Sequence, residues 1–285
     1  MTDTRAGALA ALGAFLCWGV FGLYFKALAA IPIAEVLAHR VLGGIVFSVL
    51  LLAVMAKREE FRAIVADRRA LLRLGVSALA VAMNWGCFMW AVVNGRALEG
   101  SLGYYIFPLI SVLLGRILLG ERLNRRQWAA IALVAAGVGW MAWRGHGVPW
   151  LALIVATTFA AYGLLRKTIA VPALAGLLVE TLWLAPLALG YLVSRGGGVA
   201  LDAAGGTIAV LALAGPVTVV PLFLFAYGAR RLKLSTIGLM MYINPTVQML
   251  IAVFVFGEAF TTAHAVVFAA IWVGLALYSW PSSNS

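Results

Sequence analysis

Two amides stand four residues apart in an otherwise apolar stretch, Asn244 and Gln248, with Pro245 beside the first. On a helix, side chains four apart share a face, so both amides meet the same neighbour. Proline lacks the backbone N–H and leaves a carbonyl of the preceding turn without its usual donor. Uncharged amides beside a freed carbonyl suit the ammonium and carboxylate groups of a small zwitterion. Their other use is as glue between helices, where each bond contributes about 1 kcal/mol. A third amide, Asn84, lies in a stripe of Ser77, Ala80, Asn84, Phe88, Ala91 and Gly95 at steps of three and four. Small residues on such a stripe serve close packing. Asn84 needs several hydrogen-bond partners, and a wet cavity or a ligand supplies them. Trp85, next to it, reads as packing.

Other groups give weaker chemistry. Aromatic residues Trp18, Tyr105, Phe159, Tyr162, Phe225 and Tyr242 fall within apolar runs, and pockets lined by aromatics with a few polar groups suit modest-sized ligands. Glu180 is the one acidic residue near the middle of an apolar run. At that depth a carboxyl is a proton carrier or a hydrogen-bonded structural group, and the structural role is expected here. Glu35 and His39 share one helical turn, which reads as a solvated pair and not as a metal site. Cys17 and Cys87 lie inside apolar runs and are expected to act as small hydrophobes. No nucleophile–base set, phosphate loop or metal cluster is legible, so neither an enzyme nor a cofactor is expected.

The elements that must hold these groups are set by composition. Of 285 residues, 64% are hydrophobic and 11% charged, and the mean hydropathy is +1.03. Soluble domains run near 25% charged, so lipid must be the solvent for most of this chain. One crossing takes about 20 apolar residues as a helix. Charged residues divide the chain into ten such runs, starting near residues 6, 33, 74, 100, 127, 148, 171, 203, 234 and 263. None alternates as barrel strands do, so an all-α integral membrane protein of ten transmembrane helices is expected. Little remains for an appended catalytic or DNA-binding domain. The first run is long enough to stay as an anchor and not a removable leader. The segment from Lys57 to Arg73 reads as a charged loop. The net charge of +11 belongs to loops at an anionic membrane face, and no nucleic-acid partner is expected. With the N-terminus inside, cytoplasmic segments hold sixteen Lys and Arg and the other side five, Arg40 among them. Both termini are therefore expected in the cytoplasm. Trp128, Trp140, Trp143, Trp150 and Trp280 read as an interfacial belt.

The chain repeats itself. Shifted by 137 positions, Ser101–Trp143 meets Gly238–Trp280 with Tyr105 on Tyr242, Pro108 on Pro245, and Gly120-Glu121 on Gly257-Glu258. Two repeats follow, residues 1–145 and 146–285, each of five spans. An odd number inverts the second repeat in the membrane. Inverted repeats with paired broken helices, here at Pro108 and Pro245, are the construction of secondary transporters with a midplane site. Glu121 and Glu258 read as symmetric helix-end structure.

The runs Asn84-Trp85-Gly86, Ser101-Leu102-Gly103-Tyr104, Leu119-Gly120-Glu121-Arg122-Leu123, Ala38-His39-Arg40, Val179-Glu180-Thr181-Leu182 and Phe256-Gly257-Glu258 resemble the RarD-type permeases. Those belong to the EamA branch of the drug/metabolite transporter superfamily. The resemblance covers essentially the whole chain and extends to the YddG-type amino-acid exporters. The second half keeps Asn244-Pro245 where the first reads Phe107-Pro108. The resemblance implies two inverted five-helix halves around a central cavity in the inner membrane. Spans 1, 3, 4, 6, 8 and 9 would line it. Its implied function is export of small metabolites, amino acids including aromatic ones above all, by alternating access. The substrate-binding residues would be Trp18, Asn84, Phe88, Tyr105, Phe159, Tyr162, Phe225, Tyr242, Asn244 and Gln248, with Pro108 and Pro245 as helix breaks. A drug or antibiotic exporter is the rival within transport, and a membrane receptor or scaffold the rival outside it.

Overall fold

The computed structural model describes residues 3–120, 125–141, 143, 148–198, 205–229, 231–232 and 240–279. Glu121, the start of the ninth run (234–239), Trp280 and the basic residues Arg122, Arg144, Arg230 and Lys233 lie outside them. Among the described residues the chain is helical throughout, with no strand. The elements are α1 (Asp3–Gly19), α2 (Phe21–Ala27), α3 (Ile33–Val54), α4 (Arg58–Ala66), α5 (Arg68–Val93), α6 (Ala97–Leu119), α7 (Arg125–Met141), α8 (Trp150–Thr168), α9 (Ala173–Ser194), α10 (Gly205–Ala212), α11 (Ala214–Ala229), α12 (Ile243–Phe254) and α13 (Thr262–Ser279).

Among the described residues, seven segments are long and apolar enough to span a bilayer: 4–27, α3, α5, α6, α8, α9 and 205–228. Shorter apolar stretches in α7, α12 and α13 occupy the other three span positions. The outward faces are apolar as well: Val54 is 83% exposed, Phe254 79% and Val193 78%. A soluble surface does not gather such residues, whereas lipid tails solvate them. Trp128, Trp143 and Trp150 are exposed too, as an interfacial belt requires.

Helix pairing follows the sequence repeat. The largest contacts are α6 with α8, α3 with α9, α7 with α13, α1 with α11, α5 with α8, α3 with α11, α6 with α12 and α1 with α12. Exchanging each span for the one five places along converts α6–α8 into α12–α1, and α5–α8 into α11–α1. The pairs α3–α9, α7–α13 and α6–α12 map onto themselves. Both glycines at the repeated Gly-Glu are left-handed, Gly120 with φ +68° and Gly257 with φ +71°, a conformation that glycine adopts without steric cost. The fold is two inverted five-helix repeats interlocked across one axis.

Some helices begin earlier or break where apolar runs gave no sign. Residues 57–73 are not a loop. Lys57 and Glu60 pair at 3.0 Å and Glu59 and Arg62 at 2.7 Å along the short helix α4. Asp67 then caps α5 by accepting from the backbone N–H groups of Arg69 (2.9 Å) and Ala70 (3.2 Å), satisfying donors a helix start leaves free. The first span breaks between α1 and α2, where a Cβ on Gly19 would lie 2.7 Å from the Val247 side chain.

Candidate functional site

A narrow cavity lies where the two repeats meet. Its walls are Trp18, Phe21 and Phe25 of the first span, Asn84, Trp85 and Phe88 of α5, Tyr104 of α6, Phe159 of α8, and Asn244 and Gln248 of α12. The α5 contribution follows from helical spacing, since Asn84 and Phe88 are one turn apart and both buried. The cavity volume is about 20 Å³, room for one or two waters. A metabolite enters only if the walls move apart.

Polar groups on the wall are held from behind. Asn84 Nδ2 donates to the Val155 carbonyl at 2.8 Å and to Thr158 Oγ1 at 3.3 Å. Its Oδ1 accepts from the Tyr104 hydroxyl at 2.8 Å. One amide thus ties α5, α6 and α8 together and still borders the cavity. Gln248 Nε2 donates to the Trp18 carbonyl at 3.2 Å and to Asn244 Oδ1 at 2.8 Å, while its buried Oε1 has no partner among the described residues. The carbonyl that Pro245 frees belongs to Met241, and the Asn244 N–H takes it at 3.2 Å. That carbonyl is therefore not an open ligand, contrary to the sequence reading.

The aromatic part of the wall is continuous. Trp18 and Phe159 meet edge to face at 5.8 Å, Tyr104 and Phe159 at 5.6 Å, and Phe88 and Tyr104 at 5.3 Å between centroids. Such tilted pairs add about 0.5–1.5 kcal/mol each beyond area burial.

Of the ten residues expected to bind substrate, Trp18, Asn84, Phe88, Phe159, Asn244 and Gln248 border this cavity. The other four sit behind it. Tyr162 stacks on Phe159 at 5.9 Å, and Phe225 packs on Trp18 at 5.4 Å. Tyr105 bonds Thr246 at 2.8 Å and lies 6.0 Å from Tyr242, joining α6 to α12. Pro108 is inside α6, whereas Pro245 falls in the first turn of α12, where proline is well tolerated. Sequence reasoning passed over Phe21, Phe25, Trp85 and Tyr104. Trp85 is a wall residue, not only packing. Tyr104 neighbours the repeated Tyr105 on a face 100° away, and of the two it is Tyr104 that borders the cavity.

Two charged groups depart from expectation and a third does not. Glu35 is 1% exposed, buried beneath the Gly198 turn, so it is not half of a solvated pair with His39. Arg40, counted among the five basic residues of the outer side, is 1% exposed on α3 where that helix meets α11. Glu180 accepts from Ser77 Oγ at 2.6 Å and lies 3.6 Å from Arg166 Nη1. That is the hydrogen-bonded structural role expected of it. Glu258 also acts at a helix end, accepting from the first N–H groups of α6, Ala97 at 2.9 Å and Leu98 at 2.8 Å. Among the described residues no group of His, Cys, Asp and Glu is arranged to hold a metal.

Residues 5–143 match the EamA-like transporter family. "Protein RarD" of Salmonella typhi is 43% identical over 279 residues, which span 97% of this chain and 95% of that protein. The "Uncharacterized transporter YojE" of Bacillus subtilis (strain 168) is 40% identical over 283 residues, 98% and 95% of the two chains. A solved crystal structure 21% identical in sequence superposes with a TM-score of 0.67, covering 96% of this chain and 97% of that one, and shares the fold. On that full-length similarity, carried by a helical membrane fold with a cavity between its repeats, the chain belongs to the EamA-like transporter family.

Proposed function

We propose that this transporter exports small metabolites, amino acids foremost and aromatic ones among them, from the cytoplasm by alternating access. One observation carries the reading: an aromatic cavity between the repeats, with amides from both of them on its wall. Aromatic walls accept an apolar side chain. Asn84, Asn244 and Gln248 orient the polar end, and Trp18, Phe88 and Phe159 enclose the rest. At about 20 Å³ the cavity is far below the 300–1,000 Å³ of ligand pockets, so transport requires one bundle to rock against the other. Residues 1–145 and 146–285 are the two rocking halves, with Pro108 and Pro245 at corresponding positions of the sequence repeat. Tyr105, Tyr162, Phe225 and Tyr242 join the wall when it widens. The protein resides in the inner membrane with both termini cytoplasmic.

Counterflow into proteoliposomes loaded with unlabelled amino acid tests this. Accumulation of labelled phenylalanine, tryptophan or another amino acid from a twenty-member panel is the expected result. Counterflow of antibiotics with no amino acid carried replaces this reading with drug export, and no flux of either class removes it.

A further inference from the structure

Arg40 is a fully buried cation for which no described residue supplies an anion. Its Nε donates to Thr218 Oγ1 at 3.1 Å, its one hydrogen bond among the described residues. Its Nη1 is sealed from solvent without an acceptor among the described residues. Among the described residues no carboxylate pairs with it: Glu180 faces Ser77 and Arg166, and Glu35 faces the Gly198 turn. The Tyr24 ring packs on Phe25 at 5.5 Å, and Phe25 in turn lies against the guanidinium. The Tyr24 hydroxyl is itself buried and unpartnered.

The position of this charge gives it a use. The guanidinium carbon lies 4.2 Å from the ring centroid of Trp85, 5.2 Å from Phe25 and 5.7 Å from Phe21. All three rings are walls of the cavity. The cation therefore stands one ring's thickness behind that wall. Cation–π contact offsets part of the cost of burying it but does not neutralise it. An unpaired charge at this depth is costly, and intramembrane ionisable groups otherwise pair with a partner. A site holding spare donors and no spare acceptor is complementary to an oxyanion.

Resting on the transport reading above, we infer that Arg40, with the Tyr24 hydroxyl, recognises a carboxylate on the transported metabolite. A planar guanidinium matches a carboxylate through two parallel N–H donors. Such a contact forms when Trp85 moves aside as the cavity widens. Thr218 holds the guanidinium from α11, so the charge belongs to both repeats. Substrates carrying a carboxylate are selected over isosteric amides, because the amide brings no charge and turns a donor toward donors.

The test uses the full-length protein with four probes of one shape: L-phenylalanine, L-phenylalaninamide, 3-phenylpropionate and phenethylamine. Thermal-shift titration in detergent gives affinities and counterflow gives transport. In the parent, the two carboxylates are expected to bind at least ~tenfold tighter than their uncharged or amine counterparts. Arg40→Gln is expected to bring that ratio near unity while amide binding persists. Arg40→Lys and Tyr24→Phe, which retain a charge, are expected to lower the ratio about threefold and serve if Arg40→Gln does not fold. An equal ratio in parent and variants overturns the inference, as does a parent with no carboxylate preference, and transport by the cavity stands in both cases. Protection by inorganic phosphate as strong as by 3-phenylpropionate overturns it too, since the hole is then one for any anion. If no probe binds and no amino acid shows counterflow, the transport reading falls and takes this inference with it.

Discussion

Gly43 of α3 and Gly215 of α11 meet backbone to backbone. A Cβ on Gly215 would lie 2.4 Å from the Gly43 carbonyl oxygen, and one on Gly43 would lie 2.9 Å from the Gly215 nitrogen. The obstacle on each side is main chain, which cannot rotate away as a side chain does. This contact joins the two repeats, and it brings Thr218 one turn along to the Arg40 guanidinium.

Gly215→Ala is therefore expected to destabilise the protein by about 1–3 kcal/mol, through overpacking at a crossing with no slack. The melting temperature in detergent should fall by several degrees. Gly190→Ala, where an added Cβ meets nothing within 4 Å, should be neutral or slightly stabilising. Equal melting of both variants would show that the crossing has room.

Gln248→Ala should cut transport about tenfold with the protein still folded, since the lost amide has one oxygen without a protein partner and a contact to substrate of about 1.4 kcal/mol goes with it. Asn84→Ala should cut transport as well. It should also cost about 1–3 kcal/mol of stability, because the Tyr104 hydroxyl loses its acceptor in a buried place. Parental rate and affinity in both variants would make these amides helix glue alone.

Glu180→Gln should preserve flux across a pH gradient. The carboxyl does not border the cavity, and a glutamine oxygen can still accept from Ser77. Flux abolished with folding intact, together with loss of a pH dependence present in the parent, would instead make Glu180 the carrier of a coupling proton.

A cysteine at Arg125 or Arg126 should be labelled from the cytoplasmic side only. Arg40 and Arg166 are buried in helix packing, which changes the basic asymmetry from sixteen against five to fifteen against four. Labelling by an impermeant reagent from outside intact cells would reverse the topology.

The apolar runs and the 137-residue repeat made the helix order legible, because lipid solvation and chain inversion act on composition and spacing alone. Arg40 was not legible. Counting basic residues puts Arg40 at the outer start of the second span, and whether aromatic rings from other helices enclose it depends on packing. The bonding of Asn84 to α8 is invisible for the same reason: Val155 and Thr158 lie more than seventy residues away. The break at Gly19 sits in uninterrupted apolar sequence, where the Val247 side chain takes the space a Cβ would need, whereas the one at Leu213 follows from Pro216, which has no N–H for the Ala212 carbonyl. The amides of α12 and the α5 stripe could be read because they obey helical period on a single element.

Because Glu258 holds the first N–H groups of α6, those two amides carry a clock for that end of the protein. Helix-start amides are ordinarily open to water and exchange their protons quickly. Here Ala97 and Leu98 are expected to exchange only as often as the carboxylate lets go. Deuterium uptake at that single turn should then accelerate when the transporter is driven open outward and slow when it is locked inward. This reports the frequency of opening without a label, a ligand or a measured flux.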